Sequence, residues 1–540
     1  MATRLLLTRW LLLLTILLGA QQLRASHMQA AELSYVKLAG PNQYKVTYRV
    51  YRDCGGVDFN GIVADLEYRT TGCTGGPWPR VRMVLVPGTR RTGSDYCAAV
   101  GSPCGFNQPT NYETGEFTAT LTLPPGQWTM SVSVNARPEL GNVENASSVE
   151  LYTEATLDNR QGQSNSSPVF SSNGQVVKFV GWKLPTTFSQ LALDPDGDSL
   201  VYELVAPLVG CGTDTLTYKR LPNDGNFQLS ATPPCVVVTT VARYSPRFPL
   251  ASFNLSGTCP ILTGQPYFDF NPANGSISML PVLFNPAVNS AENKNVVAVE
   301  VSEYRYLTNA IGQRYLALVG SVRRDILFTV VDCGNNVNPV VGLLTVNGSS
   351  VPQSVTTPIA ATAGQLITVR VPAADANGTQ LLTMTSNVEQ ALPNSEFTPA
   401  PPSVNPTGQI TWIPPVTLPS GLYYCTVTTT DDACPIKGVQ TQTLTFRVTN
   451  TLLSTRPARH ATALVAVPTP FQGQVSFQLA KAGVQPVLVF DQLGRQIATL
   501  QSLPSGQVQW RPAATVPAGL YLARTPDGSQ MARLLRTGTE

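Results

Sequence analysis

An all-β fold, built as tandem β-sandwiches with a small β-sandwich at the C-terminus, is predicted by three features of this 540-residue sequence. Apolar and polar residues alternate with period two over strand-length segments, as strands with one buried face require. Gly (42) and Pro (44) are plentiful while charged residues make up only 13%, the balance of a chain with many strand-joining turns. Blocks in the middle of the chain recur in one order, which marks one fold used twice.

Taken in order, residues 1–25 have the layout of a cleavable signal peptide. Arg4 and Arg9 precede an apolar run from Leu11 to Leu18 that ends in Gly19-Ala20, and cleavage is expected between Ala20 and Ser26. The run is too short to span a bilayer, and no later stretch reaches the roughly 18 apolar residues that a spanning helix needs. Residues 26–158 form an expected N-terminal β-sandwich. Its alternating segments are Tyr44 to Tyr51, Val81 to Val86, Phe117 to Leu123 and Trp128 to Val134.

The repeat defines two further sandwiches, 159–335 and 336–449. Asp194-Pro195-Asp196-Gly197-Asp198-Ser199-Leu200 is echoed by Asp375-Ala376-Asn377-Gly378-Thr379-Gln380-Leu381, and Phe270-Asn271-Pro272 through Ile277 by Val404-Asn405-Pro406 through Ile410. Val297 to Glu303 then matches Tyr424 to Asp431, and Ile326 to Val330 matches Leu444 to Val448. The first copy is longer because a cysteine-bearing insertion separates its first two blocks. Binding loops are grafted onto rigid sandwiches, so that insertion is the expected seat of specific function.

A polar linker at 450–463, with Arg456, Arg459 and His460, separates these sandwiches from a β-module at 464–540. The module's strands are expected at Val475 to Leu479, Val487 to Phe490, Arg495 to Leu500, Gln507 to Trp510, Gly519 to Arg524 and Met531 to Leu535. Turn signals at Asp491-Gln492-Leu493-Gly494 and Pro526-Asp527-Gly528 separate them.

Three resemblances follow from these residues. Pro468-Thr469-Pro470-Phe471, Phe490 to Arg495, Gly519-Leu520-Tyr521 and the basic stretch Arg533 to Arg536 resemble the C-terminal sorting domain of bacterial type IX secretion. That resemblance implies recognition by the type IX translocon and sorting machinery, with Gly494, Gly519, Tyr521 and Arg533 as recognition positions. It also implies a cargo linked to surface lipopolysaccharide or released. The order of the repeat blocks resembles cadherin-like and PKD-like immunoglobulin sandwiches, which string together end to end. The stretch from Ser26-His27 through Glu32-Leu33-Ser34-Tyr35 and Tyr51-Arg52-Asp53-Cys54 resembles gliding-motility-associated surface proteins of type IX secreting bacteria, and the likeness runs to about Cys333.

The residue inventory narrows the chemistry. The two histidines, His27 and His460, stand beside the signal junction and in the linker, so a Ser-His-Asp or Cys-His nucleophile and a His-ligated zinc site are excluded classes. No G-x-S-x-G, H-E-x-x-H or phosphate-loop motif occurs. A net charge of +3 with scattered Arg and Lys gives no nucleic-acid footprint. Paired carboxylates in the 200–270 insertion, acting as a polysaccharide hydrolase, are the enzymatic alternative.

Asp194, Asp196 and Asp198 alternate in a tight turn, where they can converge on a hard cation such as calcium with Glu303 from a later strand. The other reading is a solvated turn whose aspartates cap their own backbone. Tyr35, Tyr44, Tyr48, Tyr51, Tyr267, Phe268, Tyr304 and Tyr306 are expected chiefly as core rather than as a sugar-binding face. The ten cysteines suit an oxidising compartment. Cys97 with Cys104 and Cys425 with Cys434 are placed to close local loops, and Cys54 with Cys73 is a third pairing. Cys211, Cys235, Cys259 and Cys333 share the rest; spacing leaves the connectivity open. The expected protein is a non-enzymatic secreted or cell-surface adhesin or structural stalk that binds an unidentified glycan or protein.

Overall fold

The computed structural model describes residues 27–538 apart from 71, 74–75, 94–95, 98–103, 105–111, 171–175, 213, 288, 310 and 451–461. Residues 1–25, expected as a signal peptide, and nearly all of the expected linker, with Arg456, Arg459 and His460, lie outside the described residues. The chain divides into two compact units between Asn450 and Thr451.

The first unit is organised around one long strand, Arg314–Val331. From Val319 onward its residues are buried almost without interruption, as expected for a strand covered on both faces. It runs antiparallel to Lys294–Thr308 from Thr308↔Arg314 to Lys294↔Thr329. On its other edge it takes three partners in turn: Leu151–Asp158 through Gly320 to Val322, Met28–Lys37 through Arg324 and Asp325, and Val177–Gly181, in parallel, through Leu327 to Val331. Strands from 28–158 and from 177–331 therefore belong to one 13-stranded sheet, which crosses the boundary expected at 158/159. Period-two alternation says which face of a strand is buried; it does not say which strand completes its edge.

Around this strand the expected elements fall close to their predicted positions. Gln43–Asp53, Tyr112–Thr122 and Gln127–Val134 cover three of the four N-terminal segments. The fourth is split. Arg80–Arg82 pairs with Asp65–Arg69, whereas Val84–Leu85 pairs with Tyr112–Thr122, and the chain changes neighbour at the buried Met83. Tyr35, Tyr44, Tyr48 and Tyr51 are core residues, while Tyr306 is 62% exposed. The insertion contributes a four-stranded sheet of Asn226–Ala231, Pro234–Val238, Ile261–Pro266 and Phe253–Thr258.

The second copy is a sandwich with its own core around Trp412 and Phe446, whose rings meet edge to face at 5.1 Å. One sheet holds Ile367–Ala374, Thr407–Trp412 and Ser395–Thr398; the other holds Ile359–Thr362, Val439–Thr449, Gly421–Thr430 and Thr383–Ser386. An early strand pairs in parallel with the last, Ile359–Thr362 on Val439–Thr449. The same closure recurs as Val177–Gly181 on Arg314–Val331 and as Thr462–Leu464 on Gln530–Arg536. This recurrent closure makes the modules immunoglobulin-like. Within the unit the two copies also touch along their sides. Gln440 accepts from Thr187 N (2.6 Å) and donates to Pro185 O (2.8 Å), and Thr443 bonds Ser189 and Ser276.

The C-terminal unit packs a five-stranded sheet against Ala466–Val467, Val475–Gln478 and Gln507–Trp510. Phe471, Trp510 and Tyr521 stack through its centre at 5.8 and 5.1 Å.

The disulfides depart from the local pairings. Cys54 joins Cys104, Cys73 joins Cys211, Cys97 joins Cys434 and Cys235 joins Cys259, while Cys333 and Cys425 are buried thiols. Cys97 is drawn from Cys104 because Tyr96 bridges Ile436 and Cys97 N donates to Pro435 O at 2.8 Å. Cys425 points into the core of its sandwich at 0% exposure, out of reach of Cys434. Peptide mapping without reductant should recover these four pairs. Thiol titration should find no reactive cysteine in the native protein and two after denaturation; a Cys97–Cys104 or Cys425–Cys434 peptide would contradict the assignment.

Candidate functional site

The acidic turn takes its shape from Asp194, whose Oδ1 accepts from the backbone N–H of both Asp196 and Asp198 at 2.9 Å. Gly197 lies at φ +80°, a conformation that disfavours a side chain. The turn feeds Ser199–Val205, which pairs with Lys294–Thr308 in a register that sets Leu200 opposite Glu303. Glu303 is fully buried and faces Gly320 across the next strand pair. A Cβ on Gly320 would lie 2.6 Å from Glu303 Oε1 and closer still to the Tyr35 hydroxyl, so only glycine leaves this space open.

Four further side chains complete the cluster. Asn165 Nδ2 donates to Glu303 Oε2 (2.6 Å) and to the Tyr35 hydroxyl (3.1 Å), which itself donates to Thr156 O (2.9 Å). Arg305 donates to both oxygens of Asp198 at 2.6 Å and to Asn165 Oδ1 at 2.7 Å. Asp196 turns away to accept from Ser166 N at 2.6 Å.

One carboxylate oxygen each from Asp194, Asp198 and Glu303 lie within 4.8 Å of one another, and Asp196 is outside that group. Asp194 Oδ2 and Glu303 Oε1 are buried without a hydrogen-bond partner. Burial, followed by the negative charges of Asp194, Asp198 and Asp196, pushes the Glu303 carboxyl up to about 9. Burial also raises Asp194, reinforced by the charges of Asp198 and Asp196. Two orphaned oxygens in an all-oxygen donor set fit a hard cation. Asp194 and Glu303 would hold it, with Asp198 shared between the cation and Arg305.

The second copy repeats the frame with less charge. Asp375 Oδ1 accepts from Asn377 N (2.7 Å), its Oδ2 is buried without a partner, and Asn377 Oδ1 accepts from Val337 N (3.0 Å) as Asp196 does from Ser166. The strand-end acid is Asp431, which accepts from Asn336 Nδ2 at 3.1 Å. Asn165-Ser166-Ser167-Pro168-Val169 and Asn336-Val337-Asn338-Pro339-Val340 are therefore a fifth repeated block, whose signal in the sequence is the Asn-x-x-Pro-Val spacing. Arg305 had no such signal.

Other expected positions are placed as follows. Burial raises the carboxyl groups of Glu154, Asp194, Glu303 and Asp431; in the 200–270 insertion, Arg220 bonds Asp224 and holds its carboxyl below the usual range. In the C-terminal unit, Tyr521 is 2% exposed, donates to Pro517 O at 2.6 Å and belongs to the core. Gly494, at φ +76°, closes the turn that begins at Asp491. Gly519 pairs with Arg536 at the start of its strand, and Arg533 is exposed opposite Leu522.

No protein-family model matches the sequence, and no curated protein matches it. Among solved structures, Dscam aligns at 10% identity over 94% of this chain and 99% of its own, with a TM-score of 0.16. A fragment of three titin Ig domains aligns at 12% identity over 78% and 99%, with a TM-score of 0.13. BcpA, the major pilin subunit of Bacillus cereus, aligns at 11% identity over 54% and 94%, with a TM-score of 0.15. Superpositions this loose carry no functional argument, and the immunoglobulin-like assignment rests on the strand order above.

Glu303 titrates near 9 in the fold and near 4.3 in the unfolded chain, so between those values the folded state holds a proton that the unfolded state has lost. Stability falls as pH rises through that window and is level above it. In chelator-treated protein, Glu303→Gln should gain Tm over wild type progressively from pH 5 to pH 9, as read by thermal unfolding; a difference independent of pH would contradict the buried acid.

Proposed function

We propose that the chain is a non-enzymatic secreted or cell-surface protein, an adhesin or structural stalk, exported by type IX secretion through its C-terminal unit. The observation that carries the surface reading is the set of four disulfides, three of which join segments 50 or more residues apart. Such bonds form and persist in oxidising compartments. Among the described residues no helix is long and apolar enough to cross a membrane.

The export half of the proposal rests on the signal-like N-terminus and on the resemblance of residues 464–540 to a sorting domain. The translocon and sorting machinery would be its partners, and surface lipopolysaccharide a candidate attachment point. Arg533 and Gly494 are exposed and open to a partner, whereas Tyr521 would act through the module's core. Truncation after Ala463 should leave the cargo in the periplasm, as read by fractionation and surface proteolysis; unchanged surface display would refute the export route.

Calcium is the proposed cofactor of the Asp194, Asp198, Glu303 cluster, where it would take the place of the proton that burial holds on Glu303. At a hundredfold excess over Kd, a ligand specific for the folded state adds about 2.7 kcal/mol of stability. Calcium chloride should raise the Tm of wild type by several degrees, while Asp194→Asn and Glu303→Gln should lose that increment. An equal calcium response in all three proteins would refute the site.

A further inference from the structure

We infer that a second site, a cavity of about 550 Å³ beneath the outer end of the long hairpin, binds the end of a neutral oligosaccharide. This deepens the adhesive reading above and rests on it for biological meaning, though not for the chemistry. The cavity lies between Gln127–Val134, the end of Leu151–Asp158 with the loop after it, and the Leu307 and Tyr315 region of the hairpin. Its size is in the range that takes small ligands, about 300 to 1,000 Å³.

The lining has the composition that a sugar requires. Trp128 and Tyr315 stand among its walls, and the Trp128 indole N–H is committed to Pro124 O at 2.8 Å, which leaves the ring surface as its offering. Aromatic rings give pyranose C–H faces an apolar platform with little conformational entropy to lose. Gln127 and Gln161 add amides whose Nε2 groups donate to Asp158 Oδ2 (3.2 Å) and to the Tyr315 hydroxyl, which leaves their second N–H and their carbonyl oxygen to the hydroxyls of a ligand. Gln163 donates to Asp158 O at 3.0 Å while its Oε1 is buried without a partner, an acceptor still short of a hydrogen.

Charge selects a neutral ligand. The one carboxylate in the wall, Asp158, is bonded by Arg160 at 2.6 Å, and that guanidinium holds its carboxyl below the usual range. The same contact occupies Arg160, so neither an anionic nor a cationic ligand finds an unanswered charge here. A lipid chain is disfavoured because it would strip water from the amide oxygens and from the Asp158–Arg160 pair and return no hydrogen bond. Of the other cavities, the one bounded by Asp65, Glu67, Arg80 and Glu150 has charged walls, and it presents no unpartnered acceptor comparable with Gln163.

The test is calorimetric titration of the full chain with cellohexaose, mannohexaose and chitotetraose, with intrinsic tryptophan emission recorded in parallel. At least one of the three should bind with a change in emission, and Tyr315→Ala and Gln161→Ala should each weaken it about tenfold, the loss of roughly 1.4 kcal/mol. Trp128→Ala should abolish both signals. If that variant does not fold, the two hairpin-side and loop-side variants decide the matter. No binding of any probe up to about 10 mM, weaker than any specific lectin-like contact would be, or binding that these variants leave unchanged, would overturn the site. Surface display of the same variants is scored separately: a display failure counts against the export reading, whereas a binding failure with normal display counts against this site alone.

Discussion

The first unit depends on two ion pairs buried where Arg314–Val331 meets Met28–Lys37. Arg324 Nε lies 2.8 Å from Glu32 Oε2, and Arg137 Nη2 lies 2.5 Å from Asp325 Oδ2, with both arginine side chains 1% exposed. Arg49 reaches the other Glu32 oxygen at 2.6 Å, and Arg324 also donates to Gln190 Oε1 at 2.7 Å and lies 3.7 Å from the centre of the Phe170 ring. Such pairs add little net stability over a packed apolar pair, but removing one partner leaves an uncompensated buried charge and costs about 3–5 kcal/mol. Their value here is registry. A slip of one residue would turn Arg324 and Asp325 to the wrong faces and strand all four charges. The apolar residues that follow, Ile326, Leu327 and Phe328, would tolerate that slip far better.

Registry fixed at Arg324 propagates outward to the acidic cluster. Four residues back along the same strand, Gly320 pairs with Glu303, and a bulge follows at once between Glu303 and Tyr304. A bulge rotates the strand and re-aims the side chains around it. On the core side of this point Glu303 points into the protein; beyond it the hairpin carries Tyr306 and Leu316 into solvent at 62% and 51% exposure. The cluster therefore sits where a fully buried strand becomes a projecting one. The cavity beneath the hairpin shares that position, since Thr156 and Gly320 belong to its wall and Thr156 O is the acceptor for Tyr35.

Much of this was legible in the sequence, and the limits have physical causes. Gln507–Trp510 and Gly519–Arg524 have their predicted bounds, because short strands between Gly and Asp turns carry their signal locally. The conjunction of Asp194, Asp198 and Glu303 was also foreseeable, since the repeat places an acidic turn and a strand-end acid at matching points. What was not legible is non-local. The boundary at 158/159 fails because the edge of Leu151–Asp158 is completed by a strand more than 150 residues later. Cys97 pairs across a separation of 337 residues, and no spacing rule reaches that far. Arg305 answers Asp198 by registry alone. Asn165 was within reach, because its block recurs at Asn336; it was passed over because an amide shows no charge pattern.

The Cys97–Cys434 bridge explains how two sandwiches with a polar mutual surface stay side by side. Among the described residues their contacts include hydrogen bonds between Gln440, Thr443 and Asn338 on one side and Pro185, Thr186, Thr187 and Ser189 on the other, beside a small apolar cluster of Val331, Cys333 and Ile436. Hydrogen bonds that exchange for water are worth roughly 0.5–1.5 kcal/mol each, and interdomain surfaces of this kind are mobile by default. A covalent tie changes the reference state: opening the contact no longer releases two independent bodies, so weak polar bonds re-form at high effective concentration. The copies that resemble end-to-end modules in sequence are thus held laterally, and the tie lies beside the Asn336 and Asp431 cluster, so the second acidic frame is anchored to residues of the N-terminal region. The first unit is in this sense one mechanical body, and its N-terminal sheet is tied to the second copy twice, through the Cys97–Cys434 disulfide and through the short polypeptide that follows Val331.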